Sequence, residues 1–242
     1  MKFEQNETLI NKSPMRVSKR NAYHQAGYSV SIHLGNKQKK LPAVHFQIAI
    51  TSPRQEPLVS RRYVRLPVKQ TVKLEGGRLI ESLPNSYDAA VKRLSPSQKQ
   101  QCQDAFEADV INILTGSLAE AKYVALRDGE VFNANLIYLG ALRFYGGSMD
   151  LQLINEYMAC MMPDDPQKQQ SRLAELFLQA YSFINDKDNW FIIANLAETI
   201  TNFPKDLYTC EELIHIIESA NPMNIERFPK SSSYIAATLT AY

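Results

Sequence analysis

Hydrophobic and polar positions change period along the chain, and the change divides it into three zones. Residues 17–34 carry apolar positions at helical spacing, which predicts a short amphipathic helix that ends at Gly35. Residues 42–80 contain alternating runs rich in Val, Ile and Tyr, interrupted by prolines, and they predict two to four antiparallel strands. From Ser95 nearly to the end the spacing is helical again. The predicted fold class is mostly α (α+β), with a small antiparallel β insert after the first helix.

The last zone opens with a helix N-terminal signal. Ser95 and Gln98 match a capping box with proline at the first helical position, and they predict a long helix. Periodicity predicts further helices over residues 132–145, 149–162, 166–185, 188–202 and 209–219. The last of these opens with a second capping box, formed by Thr209 and Glu212. Helices are therefore expected to make up most of the chain.

A chain of 242 residues is long enough to bury a core without disulfide or metal support. We expect one helical domain over residues 17–220, which includes the β insert at 42–80. Residues 1–16 and 221–242 are predicted to be an N-terminal and a C-terminal tail; the second carries Pro and a run of three serines.

Composition and charge narrow the classes of function. With 45% hydrophobic and 21% charged residues, the chain is typical of a globular protein. Its 27 basic and 25 acidic residues give a net charge of +2, so we expect no nucleic-acid partner. No apolar stretch of about 18 residues is present, which predicts no membrane span. Three cysteines without a Cys-x-x-Cys pair, and an N-terminus without an apolar core, indicate a cytoplasmic location.

Candidate chemistry lies in the first predicted helix, where residues 22–28 read Ala-Tyr-His-Gln-Ala-Gly-Tyr. In the zinc-hydrolase signature His-Glu-x-x-His, residues i and i+4 share a helix face, so two imidazoles hold one metal ion. The Glu beside the first histidine takes a proton from metal-bound water. Here His24 occupies the first ligand position, Gln25 replaces the general base and Tyr28 replaces the second histidine.

Three segments resemble the peptidase domain of the FtsH family of ATP-dependent zinc metalloproteases. Residues 22–28 resemble its Ala-Tyr-His-Glu-Ala-Gly-His segment, and residues 106–120 resemble a family helix with an aspartate, an apolar run, a glycine and Ala-Glu. Residues 146–151 resemble the family's Gly-x-Ser-x-Asp-Leu turn, whose aspartate is the third zinc ligand and is Asp150 here. The resemblance covers roughly residues 20–220 and implies a helical metallopeptidase-like domain.

The departures from the family pattern bear on function. Carried over by position, the metal ligands fall on His24, Asp150 and Tyr28, and the general base falls on Gln25. A phenol has an ordinary pKa of about 10, so Tyr28 is a poor metal ligand. An amide neither gains nor releases a proton at useful pH, so Gln25 cannot act as a base. The metal positions are therefore expected to be vacant, and these four residues to form a hydrogen-bonded polar cluster.

The sequence leaves two functions open. The first is a catalytically inactive, degenerate FtsH-like domain, without the family's ATPase and membrane parts, that binds a protein partner or itself and needs no cofactor. The second is a stand-alone zinc metallopeptidase with atypical ligands, in which Glu107 or Glu120 replaces the missing base. The remaining histidines are not expected to complete a metal site; they are His33, His45 and His215.

Overall fold

The computed structural model describes residues 17–51, 70–133 and 139–222 of the chain. As the periodicity predicts, the fold is mostly helical with a small antiparallel sheet. Its helices are α1 (Lys19–Val30), α2 (Asn36–Gln38), α3 (Tyr87–Val91), α4 (Pro96–Asp128), α5 (Ser148–Met161), α6 (Pro166–Asn185), α7 (Lys187–Asn202) and α8 (Cys210–Ala220). Its strands are β1 (Phe46–Thr51), β2 (Thr71–Gly76) and β3 (Leu207–Tyr208). A π-helical turn, Ser31–Gly35, joins α1 to α2.

The first helical segment is longer than predicted. Gly35 has right-handed helical angles, φ −65° and ψ −44°, so that α1, the π turn and α2 follow one another without a break as far as Gln38. The chain leaves the helix at Lys40, whose φ is 57°. The prediction that Gly35 ends the helix is wrong, because a glycine stops a helix when it takes left-handed angles, and Gly35 does not take them.

Helix α4 forms the centre of the fold. It has 33 residues and opens with the predicted capping box, in which Ser95 and Gln98 exchange side-chain to backbone hydrogen bonds. Every residue from Phe106 to Ala121 is buried, because α1, α5 and α6 pack around this stretch. The polar residues of the stretch therefore lie inside the molecule, where they need hydrogen-bond partners.

The sheet has the strand order β2-β1-β3, and both pairs are antiparallel. Strands β1 and β2 are confirmed as the antiparallel pair that the alternating pattern predicts. Residues 52–69, the middle of the predicted insert, lie outside the described residues. Strand β3 was not predicted: it comes from the loop before α8, and its Tyr208 pairs with Ile48 of β1.

Helices α5 to α8 begin and end within two residues of the predicted bounds. The capping box of Thr209 and Glu212 is present at the start of α8. Among the described residues, none of the helices combines the length and the apolar character needed to cross a membrane. The predicted tails lie almost entirely outside the described residues, since 1–16 and 223–242 are not described.

The helix predicted over residues 132–145 is wrong. Residues 131–133 have no regular structure, and Leu139–Phe144 form a 3-10 helix. Residues 134–138 lie outside the described part of the chain. Gly140 lowers the helix propensity of the segment, and the tighter i to i+3 winding suits a short connection before α5.

Candidate functional site

Two glycines bring α1 and α4 into close contact and so position His24. A Cβ atom added to Gly27 would lie 2.4 Å from the Cβ of Ala119 and 2.9 Å from the carbonyl oxygen of Thr115. A Cβ atom added to Gly116 would lie 3.1 Å from Nε2 of His24. Larger side chains at either position would force the helices apart. The glycines therefore let the imidazole lie directly against the backbone of α4.

The His24 imidazole lies between two carboxylates. The side chain is buried, and its Nε2 is 3.1 Å from Oδ2 of Asp150, in the first turn of α5. Its Nδ1 is 3.3 Å from Oε2 of Glu120 on α4, and also 3.3 Å from the carbonyl oxygen of Tyr145. One imidazole thus links α1, α4 and the start of α5.

Further side chains extend this arrangement into what we call the ionic cluster: Arg20, Ser117, Glu120, His24 and Asp150. The Nε of Arg20 donates to Oε1 of Glu120 at 2.7 Å. The hydroxyl of Ser117 donates to Oδ2 of Asp150 at 2.8 Å. The cluster therefore alternates cations and anions, and each of its two carboxylates has at least two partners.

The charges of the ionic cluster stabilise one another. Burial by itself would lower the pKa of His24, but Asp150 and Glu120 outweigh it and raise the pKa to about 9. Burial would likewise raise the pKa of Glu120, but His24 and Arg20 outweigh it and hold this pKa below its ordinary value. At neutral pH the cluster therefore contains an imidazolium, which donates through both nitrogens.

The turn before α5 closes over the cluster. Gly146 has a φ of 72°, and a Cβ atom at this position would lie 2.8 Å from Oε2 of Glu120 and 3.1 Å from Nδ1 of His24. The turn thus needs glycine both for its left-handed backbone and for the space. This is the local reason why Asp150, four residues later, arrives in contact with the imidazole.

Gln25, at the family's general-base position, holds the sheet to the first helix. Its Oε1 accepts a hydrogen bond of 2.9 Å from the backbone N–H of Leu74 in β2. Its Nε2 donates to Oδ1 of Asn21 at 3.3 Å. The amide of Gln25 therefore acts as a structural link between α1 and β2.

Tyr28, at the family's second-histidine position, is half-buried and remains a neutral phenol. Burial raises its pKa above the ordinary value, and the carboxylates of Asp109 and Asp150 raise it further. Deprotonation to a metal-binding phenolate is therefore harder here than in water.

Of the two candidate bases, one lies in the ionic cluster and one does not. Glu120 is bound by Arg20 and His24. Glu107 is held by Arg172 in a two-pronged ion pair with distances of 2.9 and 2.6 Å. Thirteen residues of α4 separate the two glutamates, which is about 20 Å along the helix axis. Glu107 is therefore too far away to act on a group bound at His24.

The other histidines lie away from His24. Nε2 of His33 is 2.6 Å from Oε1 of Glu218, so this imidazole faces α8. His45 and His215 are exposed, just before β1 and on α8 respectively. The structure thus brings His24 together with Asp150 and leaves the other three imidazoles outside the cluster.

A cleft of about 470 Å³ opens beside the ionic cluster, between α1 and β2. Asn21 and Gln25 line it from α1, and Val72 lines it from β2. Arg20, His24 and Glu120 contribute the charged part of its surface. The cleft therefore offers amide and charged groups next to the backbone of a strand.

Among the described residues, the side chains around His24 supply only part of the donor set of a catalytic zinc ion. Such a site holds the metal with three protein ligands and keeps the fourth position open. In the described ranges, no three His, Cys, Asp or Glu side chains are grouped so that they could hold a metal ion. His24 and Asp150 supply two conventional donors, and Tyr28 supplies a protonated phenol. A peptidase zinc site would need a third ligand.

Sequence reasoning missed two members of the ionic cluster. Arg20 precedes His24 by four residues, so the helical pattern places both on one face, and this spacing was the available signal. Ser117 lies one residue after Gly116 and carries no comparable signal. Its role depends on the approach of α5, which no local pattern reveals.

Comparisons with known proteins assign no relative to this site. The chain matches no protein-family model, no curated protein and no solved structure. The resemblance to the FtsH peptidase domain therefore rests on the three sequence segments, and the function that it implies is a proposal.

Proposed function

We propose that this chain is a catalytically inactive peptidase-like domain that acts by binding a protein partner or a second copy of itself. The observation that carries the proposal is the hydrogen bond from the Leu74 N–H to Oε1 of Gln25. A general base must accept a proton from water, whereas this oxygen belongs to an amide and is already used to hold β2. The position of the family's base thus serves the fold.

The ionic cluster supports the same proposal. Both ring nitrogens of His24 face carboxylates, and Glu120 is in addition bound by Arg20. Gly146 packs so closely over Glu120 and His24 that a single added carbon would collide with them. These contacts make His24 and Asp150, two of the three positions that match the family's ligands, parts of a closed ion-pair network that connects three helices.

The cleft between α1 and β2 supports a binding role. Arg20 and Glu120 present both signs of charge, and Asn21 and Gln25 present amide groups. Polar and charged side chains of this kind are typical of the rim of a non-obligate protein interface. We propose that the partner binds here, and that the protein is cytoplasmic, because its cysteines among the described residues are all free thiols.

Metal content and peptidase activity test the loss of catalysis. Protein purified without a chelator is expected to contain close to no zinc and to leave casein intact. The change Gln25→Glu with Tyr28→His restores a base and an imidazole, so it is expected to raise the affinity for zinc. The same double change with His24→Ala is the matched control and should not bind zinc. Failure of the double change to bind zinc would count against the inherited geometry.

One observation favours the alternative, a stand-alone zinc peptidase with atypical ligands. Nε2 of His24 and Oδ2 of Asp150 are 3.1 Å apart. Two ligands of one tetrahedral zinc ion, each about 2.0–2.1 Å from the metal, are separated by about 3.3 Å. The alternative therefore predicts about one zinc per chain in the wild type and casein cleavage that His24→Ala abolishes. Either result would overturn the inactive assignment.

Partner binding is tested separately, with a photo-crosslinking residue in place of Asn21 in the cleft. We expect a crosslink to a second copy or to one defined protein. We expect Ser18→Glu, which adds a charge at a half-exposed position of the same cleft, to abolish it. The same probe in place of Leu178, an exposed residue of α6, is the control and should not give that product. Equal crosslinking from both positions would contradict binding in the cleft.

A further inference from the structure

A second cavity lies at the other end of the first helical segment. Its volume is about 470 Å³, and it is bounded by the π turn and α2, by the middle of α4 and by the connection between α6 and α7. In the described part of the chain, its lining shares no residue with the cleft beside His24. Any ligand of this cavity is therefore independent of the proposed function.

Three buried polar side chains form one wall of the cavity, and we call them the amide cluster: Ser31, Asn112 and Asn36. The Ser31 hydroxyl donates to Oδ1 of Asn112 at 2.6 Å, and Nδ2 of Asn112 donates to Oδ1 of Asn36 at 3.2 Å. Their exposed fractions are 1%, 2% and 3% respectively. The polar chain thus begins at Ser31, passes through Asn112 on α4 and ends at Asn36.

The chain of hydrogen bonds ends in a donor without an acceptor. Among the described residues, Nδ2 of Asn36 is buried and has no hydrogen-bond partner. Buried polar atoms in native proteins nearly always have a partner, because an unsatisfied donor loses its hydration without compensation. The position next to Asn36 therefore suits a group that carries a hydrogen-bond acceptor.

The π turn explains why these side chains meet. In a regular α-helix, residues five apart, such as Ser31 and Asn36, are separated by about 140° around the axis. The wider i to i+5 winding of Ser31–Gly35 brings such residues towards one face, and both side chains here reach Asn112. Turns of this kind occur often at functional sites.

Among the residues described, one cationic and one anionic side chain line the cavity, and they differ in their partners. Lys39 lines it and is exposed. The nearby carboxylates of Glu107 and Asp104 already have partners, Arg172 and Gln100 respectively. Asp186 also lines it, but this carboxylate already accepts from the backbone N–H groups of Asp188 and Asn189 at the start of α7. Ile111 and Phe183 add apolar surface. A negative group beside Lys39 with a short hydrocarbon part matches this lining.

We propose that this cavity binds a small organic carboxylate, whose oxygen accepts a hydrogen bond from Nδ2 of Asn36 and whose charge is paired with Lys39. The hydrogen bond would complete the polar chain of the amide cluster. The ion pair at the rim supplies the preference for an anion over a neutral molecule of the same shape.

The test uses three probes of similar size: butyrate, the neutral butyramide and the cationic butylamine. Each is titrated into the ¹⁵N-labelled full chain while the side-chain amide signals of Asn36, identified by their loss in Asn36→Asp, are followed. Butyrate is expected to shift these signals with a dissociation constant of about 1 mM or lower, and the other two probes much more weakly.

Two charge variants distinguish butyrate binding at this site from a general effect of the protein's charge. Lys39→Gln is expected to weaken butyrate binding roughly tenfold, the loss of one charge-assisted contact. Lys40→Gln removes the same charge one residue further on, outside the cavity lining, and is expected to change nothing. Both replace exposed side chains, so the fold is retained even if Asn36→Asp is destabilised.

Three results would overturn the proposal. If butyrate gives no saturable shift, the proposed site does not exist. If butyramide or butylamine binds as tightly as butyrate, the site is not specific for a carboxylate. If butyrate binds equally to the wild type and to Lys39→Gln, Lys39 does not form the proposed ion pair.

Discussion

The ionic cluster and the amide cluster lie on the same pair of helices, yet they handle buried polarity in opposite ways. His24 and Asn36 are twelve residues apart on the first helical segment, about 18 Å along a regular helix, and both contact α4. At His24 both ring nitrogens face carboxylates. At Asn36 the side-chain oxygen accepts a hydrogen bond, whereas Nδ2 has no acceptor among the described residues.

The free-energy cost of burying an ion or a neutral amide explains why one cluster is fully paired and the other is not. An ion taken out of water needs an opposite charge and further hydrogen bonds, so a buried ionic network is stable only when it is closed. A neutral amide loses much less when one of its hydrogen bonds is missing. A closed cluster therefore holds the fold together, whereas an open neutral one is able to receive a ligand. The contrast predicts unequal losses of stability when one side chain is removed from each cluster.

The first prediction removes one side chain from each cluster. His24→Ala leaves Glu120 and Asp150 without their shared cation, and is expected to lower the free energy of unfolding by about 3–5 kcal/mol. Asn36→Ala leaves one buried N–H of Asn112 without an acceptor and is expected to cost about 1–2 kcal/mol. Urea unfolding measures both. Equal losses would contradict the contrast.

The second prediction concerns pH. Because the pKa of His24 is raised from 6.5 to about 9, its contribution is fully present below pH 6.5 and is lost as the pH rises through 9. The expected loss is on the order of 3 kcal/mol. In EDTA-treated protein, the free energy of unfolding should fall across this pH range in the wild type and in Asn36→Ala. His24→Ala should not show it.

The third prediction compares two glycines on the same helical segment. Gly27→Ala brings a methyl group against Ala119 and Thr115, and is expected to destabilise the fold by about 1–3 kcal/mol. A Cβ at Gly35 would lie 3.5 Å from Oγ of Ser31, an ordinary contact, so Gly35→Ala is expected to cost little or to stabilise through helix propensity. Thermal unfolding measures both losses of stability. A larger loss for Gly35→Ala than for Gly27→Ala would refute the prediction.

The fourth prediction concerns the link between α1 and β2. Gln25→Ala removes the acceptor of the Leu74 N–H, and is expected to cost about 1 kcal/mol and to speed hydrogen exchange at that amide. Gln25→Glu keeps an oxygen in place and should keep the amide protected. Unchanged exchange in Gln25→Ala would show that the contact does not stabilise β2.

Local signals predicted the helices well, and long-range contacts explain the misses. The capping boxes at Ser95 and Thr209 are confirmed because each depends on residues three apart. Strand β3 exists only because Tyr208 reaches Ile48, which lies far away in the sequence. Gly35 remains helical in a turn whose two flanking residues, Ser31 and Asn36, both hydrogen-bond with Asn112. The glycine itself gives no sign of these contacts.

The two clusters also differ in how far local sequence signals predict them. His24 and Asp150 were predicted from motifs, and the structure places them in contact. Glu120 was named only as a replacement base, whereas it lies in an ion pair with Arg20. The amide cluster gave no signal, because serine and asparagine are common on exposed helix faces and only the packed fold shows that these are buried.

The hydrogen bond between Gln25 and Leu74 determines which substitution position 25 tolerates. Glutamate has the same length and offers the same kind of oxygen to the strand, so Gln25→Glu would leave the backbone undisturbed. Tyr28, by contrast, fills volume that a histidine would not fill. A change of both positions to the His-Glu-x-x-His pattern would therefore cost little stability at Gln25 and more at Tyr28, where the aromatic ring is part of the packing.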